Sequence, residues 1–239
     1  MTQWRVVKPL EAAPARALVS FTFDDFPRSA ALAGADILGR YGACGTYYAC
    51  TGLLGGSGPS GAYPTEYDFR ALSEAGHEIG AHSARHLDCA RTPVRDVLAD
   101  LERNAAHLKA LLEPAPVAHF AYPFGETTPQ LKHALTERFD TCRGVLPGIN
   151  RAGSDAMQLR AVELNGAPGS LRRAQRMVEA LAARPGWLIF FTHDVAAAPS
   201  PFGITPSGLE RLVRQASDSG AALVTVSEAW QRVSAGRPS

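Results

Sequence analysis

Cysteine is scarce in this 239-residue chain, and none of its four residues, Cys44, Cys50, Cys89 and Cys142, forms a C-x-x-C pair. That excludes the dense disulfide framework of small secreted domains and reads as reduced thiols, the alternative being one disulfide in an exported protein. Long apolar runs are missing too: no stretch approaches the ~20 residues a membrane span needs. The start, MTQWRVVKPLEAAPARA, lacks the unbroken apolar core of a secretory signal, so a cytoplasmic protein is expected. Nor is there a surplus of one charge. With 24 Lys+Arg against 23 Asp+Glu, the net charge of +1 leaves no electrostatic footprint for nucleic acid or an acidic membrane. Repeats and low-complexity tracts are absent. What the chain does have is 46% hydrophobic and 20% charged residues, which excludes general disorder and suits a large domain with a real core.

Short runs rich in branched and aromatic residues recur at 18–23, 44–50, 77–82, 117–122, 140–145, 158–164, 187–193 and 221–226. They predict strands, and most are separated by segments long enough for a crossover helix. Three helices announce themselves by Thr-Pro, at Thr92-Pro93, Thr128-Pro129 and Thr205-Pro206. There the threonine hydroxyl can accept from a free N–H of the first turn, and proline loses nothing at the next position. Between Thr92 and about Leu112, residues Val94, Val97, Leu98, Leu101, Ala105, Leu108 and Leu112 make an apolar stripe at helical spacing. Seven or eight such units with no break in composition predict a single α/β domain. No phosphate-type glycine loop follows the first strand, which favours a barrel of parallel strands over an open doubly wound sheet. Residues 1–17 read as an N-terminal extension, 18–232 as the domain and 233–239 as a frayed tail. The Gly/Ser-rich stretch at 52–64 reads as a long structureless loop within the domain, of a kind that often carries function.

Polar residues collect where several predicted strands end, the edge on which parallel barrels assemble active sites. The first run ends in Asp24-Asp25, the third leads into His82 and then His86, the fourth into Tyr122-Pro123-Phe124-Gly125, and the seventh into His193-Asp194. Singly, each has a plain explanation. Two aspartates after a strand cap a turn, two histidines four apart lie on a surface, Pro-Phe-Gly makes a turn, and a lone histidine is satisfied in a core. Together they point elsewhere. Adjacent carboxylates are costly to keep ionised without a cation or donors. One Asp with two His is a three-ligand set that leaves a position open for water, as a catalytic zinc site requires.

In this order and spacing, TFDD (22–25), HSARH (82–86), YPFG (122–125) and FTHD (191–194) resemble the motifs of the polysaccharide deacetylase family (NodB-homology type, carbohydrate esterase family 4). The resemblance runs from about Leu18 to Trp230. It implies a distorted (β/α) barrel of about seven strands that removes acetyl groups from glycans with one divalent metal, zinc foremost. By position it implies Asp24 as general base and Asp25, His82 and His86 as metal ligands. His193 becomes the acid for the leaving amine, and the Phe124 N–H the oxyanion donor. Tyr122, Pro123 and Tyr63 are read as substrate contacts, and Tyr47, Tyr48 and Tyr67 as further stacking candidates, with core packing claiming at least one of Tyr47 and Tyr48.

One departure stands out. Where many members carry an arginine that orders the base, this chain has Ala121. An arginine from another strand end is expected to replace it, Arg160 first and Arg143 second, and Asp155 is the candidate to orient His193. His77, His107, His119 and His133 read as surface or packing residues, and Arg172, Arg173 and Arg176 as a solvated helix face. The leading expectation is a metal-dependent deacetylase of an N-acetylated glycan or glycan precursor. The alternatives are hydrolysis of a non-sugar amide or acetyl ester, or a catalytically weak glycan-binding relative.

Overall fold

The computed structural model describes residues 5–112 and 117–234. Strand β1, Leu18–Asp24, is buried along its whole length, as a strand covered on both faces must be. Alternation sorts its residues. Val19, Phe21 and Phe23 enter a core with Leu38, Leu209 and Leu212, while Leu18, Ser20, Thr22 and Asp24 take the other face. The chain continues through α1 (Ala35–Gly39), β2 (Thr46–Ala49), a small antiparallel hairpin of β3 (Ser57–Gly58) and β4 (Gly61–Ala62), α2 (Glu66–Glu74) and β5 (Glu78–Ala81). Next come α3 (Val94–Leu111), β6 (His119–Ala121), α4 (Pro129–Leu135), β7 (Thr141–Arg143), β8 (Val162–Glu163) and α5 (Ser170–Ala183). The last elements are β9 (Trp187–Thr192), α6 (Pro206–Asp218), β10 (Ala222–Leu223) and α7 (Val226–Ser234).

Seven strands run parallel in the order β7-β6-β5-β2-β1-β9-β8, and β10 pairs with the start of β1 while β2 pairs with its end. The two edges of this curved sheet meet at a bridge between Arg143 and Leu159. There the Leu159 N–H donates to the Cys142 carbonyl at 2.8 Å, and its own carbonyl accepts from Gly144 N–H at 3.0 Å. The result is a single-domain, distorted (β/α) barrel, as the motif resemblance implies.

Several elements differ from the sequence reading. The expected strand at 158–164 shrinks to β8, because Asp155 caps a 3-10 turn at Ala156–Gln158 by accepting from Met157 N–H. Thr128 and Thr205 cap their helices, accepting from Leu131 N–H at 3.2 Å and Gly208 N–H at 3.1 Å. Thr92 does not. Pro93 stays extended (φ −52°, ψ 137°) and takes the cap position itself, so Thr92 stands one residue too early. The 52–64 loop is not structureless, since it holds the β3–β4 hairpin. Within the expected extension, Lys8 is bonded to the barrel: its N–H donates to Asp155 Oδ1 at 3.0 Å and its carbonyl accepts from Ala156 N–H at 2.7 Å. Of the expected tail, Val233 and Ser234 end α7, and 235–239 lie outside the described residues, as do 1–4 at the other end. All four cysteines are free. Burial pushes the Cys50 and Cys89 thiols up to about 12, so neither offers a reactive thiolate. Among the described residues, no helix is long and apolar enough to cross a membrane.

Candidate active site

The carboxyl ends of the strands open on one cleft of about 530 Å³. Asp24, Asp25, His82, His86 and His193 all line it, together with Tyr63, Tyr122 and Phe124. Pro123 does not reach its wall and is buried in the turn behind Phe124.

Asp25, His82 and His86 present one ligand atom each within 4.8 Å of one another. His82 Nε2 stands 3.9 Å from Asp25 Oδ1, and His86 Nε2 stands 3.6 Å from Oδ2. Their backbone is unusual. Among the described residues, four non-glycine residues have positive φ, and all belong to this site: Asp25 (51°), Ser83 (61°), His86 (54°) and Phe124 (60°). Each such turn costs on the order of 1–2 kcal/mol for an L-residue, so something must hold it. For the His82–His86 turn, two buried polar residues of α3 do so. Asp100 accepts from Ala84 N–H at 2.7 Å and Arg85 N–H at 3.1 Å, and Asn104 donates to Ser83 O at 2.8 Å. For Phe124 the neighbour is Gly125 (φ 75°), where a Cβ would stand 2.3 Å from Val145 and only glycine fits.

The donor set fits a divalent cation. His82 places Nδ1 2.8 Å from the Ala121 carbonyl, which can only accept, so Nδ1 carries the proton and Nε2 turns a lone pair toward Asp25. Burial, the largest influence, pulls the His82 imidazole down to about 3 and lowers His86 as well, keeping both neutral and able to ligate. Asp25 Oδ1 is buried without a hydrogen-bond partner. Burial, helped by the Asp24 charge and opposed by His193, pushes the Asp25 carboxyl up to about 7. A cation among these three groups would meet both the orphaned oxygen and the two lone pairs.

Asp24 is ordered by Arg143, the second candidate from sequence, whose Nη2 donates to both carboxylate oxygens at 2.5 Å. Burial alone would raise the Asp24 carboxyl, but the guanidinium, aided by His82 and His193, outweighs it and holds the group below its usual range. Arg143 is fully buried, with its guanidinium carbon 4.8 Å from the Phe191 ring centre and 5.3 Å from that of Tyr48. Its position explains Ala121. The two residues are register partners on β6 and β7, so the guanidinium has moved one strand along the ladder. Arg160, the first candidate, lies elsewhere, with Nη1 donating to the Pro147 carbonyl at 3.2 Å.

His193 is half-buried, its Nδ1 enclosed without a partner. Asp155 does not orient it, being committed to Lys132 at 2.9 Å and to Lys8 N–H. What flanks His193 is Phe202, with ring centres 5.5 Å apart, on a loop tied down by Asp194, which accepts from Ser200 N–H at 2.8 Å. His86 has a matching neighbour in Phe124, edge-on at 4.6 Å. Tyr47 and Tyr48 are both core residues with no exposed surface, and Tyr67 is exposed on α2 away from the cleft. Tyr122 donates its hydroxyl to the Met157 carbonyl at 2.9 Å. His77 and His119 are buried packing residues, while His107, His133, Arg172, Arg173 and Arg176 are exposed.

Sequence reading missed Asp100, Asn104 and Glu163, the last a cleft residue at the end of β8. For the first two a signal existed. They fall four apart beside Val97, Leu101 and Leu108 on the apolar stripe of α3, where a buried polar group needs a partner.

A family profile described as Polysaccharide deacetylase matches residues 11–138. No curated protein matches the chain. Among solved structures, the chain is similar to a family 4 acetyl xylan esterase from Clostridium thermocellum in complex with cobalt, at 23% identity and a TM-score of 0.62, covering 90% of each chain. It is also similar to the Xyl-CE4 domain of a multidomain xylanase from the hindgut metagenome of Trinervitermes trinervoides, at 20% identity and 0.61, covering 93% of each. A third similar fold is a CE4 family pseudoenzyme from Bacillus anthracis, at 14% identity and 0.61, covering 92% of this chain and 67% of that one.

Proposed function

The chain belongs to the polysaccharide deacetylase family, and from that premise we propose that it hydrolyses the acetyl amide of an N-acetylated glycan or glycan precursor, with zinc as its divalent ion. The observation that carries the reading is the convergence of Asp25, His82 and His86 beside an Arg143-bound Asp24, with His193 in the same cleft. Arg143 also weighs against a binding-only relative, because the base keeps a guanidinium partner despite Ala121.

Asp24 takes a proton from the attacking water. Its carboxylate is ionised above the acid range and so always free to accept, at some cost in basicity. When bound by Asp25, His82 and His86, a divalent ion supplies Lewis acidity, which can lower a water's pKa from ~15.7 to as low as ~7. The Phe124 N–H, on its left-handed turn at the cleft wall, is the donor for the oxygen that gains charge, a contribution of roughly 2.7–4 kcal/mol where such donors have been removed. His193 gives its proton to the departing nitrogen, because an unprotonated amine leaves poorly. Tyr63, Phe124 and Phe202 offer exposed or half-exposed rings at the cleft for the face of a sugar.

The test is zinc-dependent acetate release from a panel of N-acetylated sugars and oligosaccharides. Asp24→Asn should bind one equivalent of zinc and release acetate roughly 10²–10⁴ times more slowly. Equal rates would remove Asp24 as base, and no release from any member by the zinc-loaded wild type would overturn the deacetylase reading.

A further inference from the structure

One charged group at the cleft has no task in this scheme. Glu163 ends β8 with its side chain exposed, and its carboxylate makes no hydrogen bond or ion pair among the described residues. Its register partner on β9 is Phe191, also a cleft residue, and His193 follows two residues later. Alternation therefore brings Glu163, Phe191 and His193 to one wall. In the ring order β8 lies across the barrel from β5, whose end carries His82 and His86. Glu163 thus sits beside the acid and away from the histidine ligands. The other two carboxylates of the cleft are taken, Asp24 by Arg143 and Asp25 by the ion site it would share with His82 and His86. Among the described residues no lysine or arginine lines the cleft, and Arg143 is sealed behind Asp24.

Building on the deacetylase reading, we propose that Glu163 is a specificity-determining residue on the leaving-group side, favouring amides of amino sugars over acetyl esters. In both reactions the water oxygen bonds to the acetyl carbon while Asp24 takes a proton. In the amide the nitrogen lone pair first takes the proton of His193, which makes the nitrogen cationic. The C–N bond then breaks with its electron pair going to nitrogen, releasing a neutral amine that takes up the proton released by acetic acid at neutral pH. In the ester the C–O bond breaks, the oxygen receives the same proton, and a neutral alcohol leaves. A free carboxylate beside His193 attracts the developing ammonium and does little for the alcohol.

The experiment compares the zinc-loaded wild type with Glu163→Gln on an N-acetylglucosamine trimer and on an O-acetylated xylotriose. Glutamine keeps the size of the side chain, and the backbone carbonyl of residue 163 still accepts from Ser170 Oγ. The wild type should prefer the amide. The substitution should lower kcat/KM on the amide roughly five- to tenfold, mostly through kcat, and change the ester less than about twofold, the scale of a charge-assisted contact at an exposed group. Equal losses on both substrates, no loss on the amide, or a wild type that hydrolyses the amide but prefers the ester would overturn the proposal and leave the deacetylase reading standing. No hydrolysis of the amide by the wild type would overturn both.

Discussion

Replacing Arg143 by methionine tests the electrostatic core of the site. Methionine keeps an unbranched, apolar stem between the Phe191 and Tyr48 rings, so the change removes the charge with limited loss of volume. It leaves Asp24, whose side chain is 6% exposed, with neither of its two 2.5 Å bonds. Breaking a buried pair from one side costs about 3–5 kcal/mol, because the remaining charge is left without compensation. For a chain of this size that is a fall in Tm of roughly 6–20 °C. Acetate release should fall by roughly 10²–10⁴ as well, since the base loses the partner that fixes its position. The register makes the argument sharper. Ala121 faces Arg143 across β6 and β7, so moving the guanidinium back, in the double variant Ala121→Arg with Arg143→Ala, should recover at least tenfold in kcat/KM over Arg143→Ala. Kinetics of acetate release and thermal melts of the three variants check this. Wild-type kcat/KM and Tm in Arg143→Met would refute the reasoning. A double variant that folds, binds zinc and recovers nothing would refute the equivalence of the two positions.

Zinc at 100 times its Kd should stabilise the wild type by about 2.7 kcal/mol, read as a rise in Tm, and His82→Ala should show no such rise. An undiminished shift in that variant would strike His82 from the ligand set. Burial lowers the His77 imidazole, and its Nδ1 accepts from Gly45 N–H at 2.9 Å. A histidine depressed in the folded state binds its proton more readily unfolded, so its contribution is present above about pH 6.5 and is lost as the pH falls toward the lowered folded value. Urea midpoints of the metal-free protein at pH 7 and pH 5 should therefore differ less in His77→Gln than in the wild type, and identical differences would refute the role given to His77.

The residues at strand ends were legible because strand, sharp turn and polar pair fall together in the chain, as at Phe23-Asp24-Asp25. The partner of Asp24 was not. Arg143 and Arg160 both fall within predicted strands, and only the pairing of Ala121 with Arg143 tells them apart. That register depends on where β7 begins, which a run such as DTCRGV does not mark. The same blurring hid the 3-10 turn at Ala156–Gln158, where the barrel closes and a regular strand would carry on. Asp155 was misread for a related reason. Its partners, Lys132 and Lys8, lie 23 and 147 residues away, beyond the reach of any local pattern.

The seam at Leu159 divides labour along the chain. Every proposed metal ligand lies between residues 25 and 86, at the ends of strands at least two removed from the seam, whereas Arg143 and Glu163 arrive on the two strands that adjoin it and His193 on the next one. Capture of the ion and competence for turnover are therefore assembled by different halves of the polypeptide. A barrel that loosened at this closing bridge would still grip metal while the guanidinium partner of the base, the acid and the leaving-group wall drifted out of register. Metal content would then report on the first half of the fold and acetate release on the joint, so the two measurements together would show where along the ring a damaging substitution had acted.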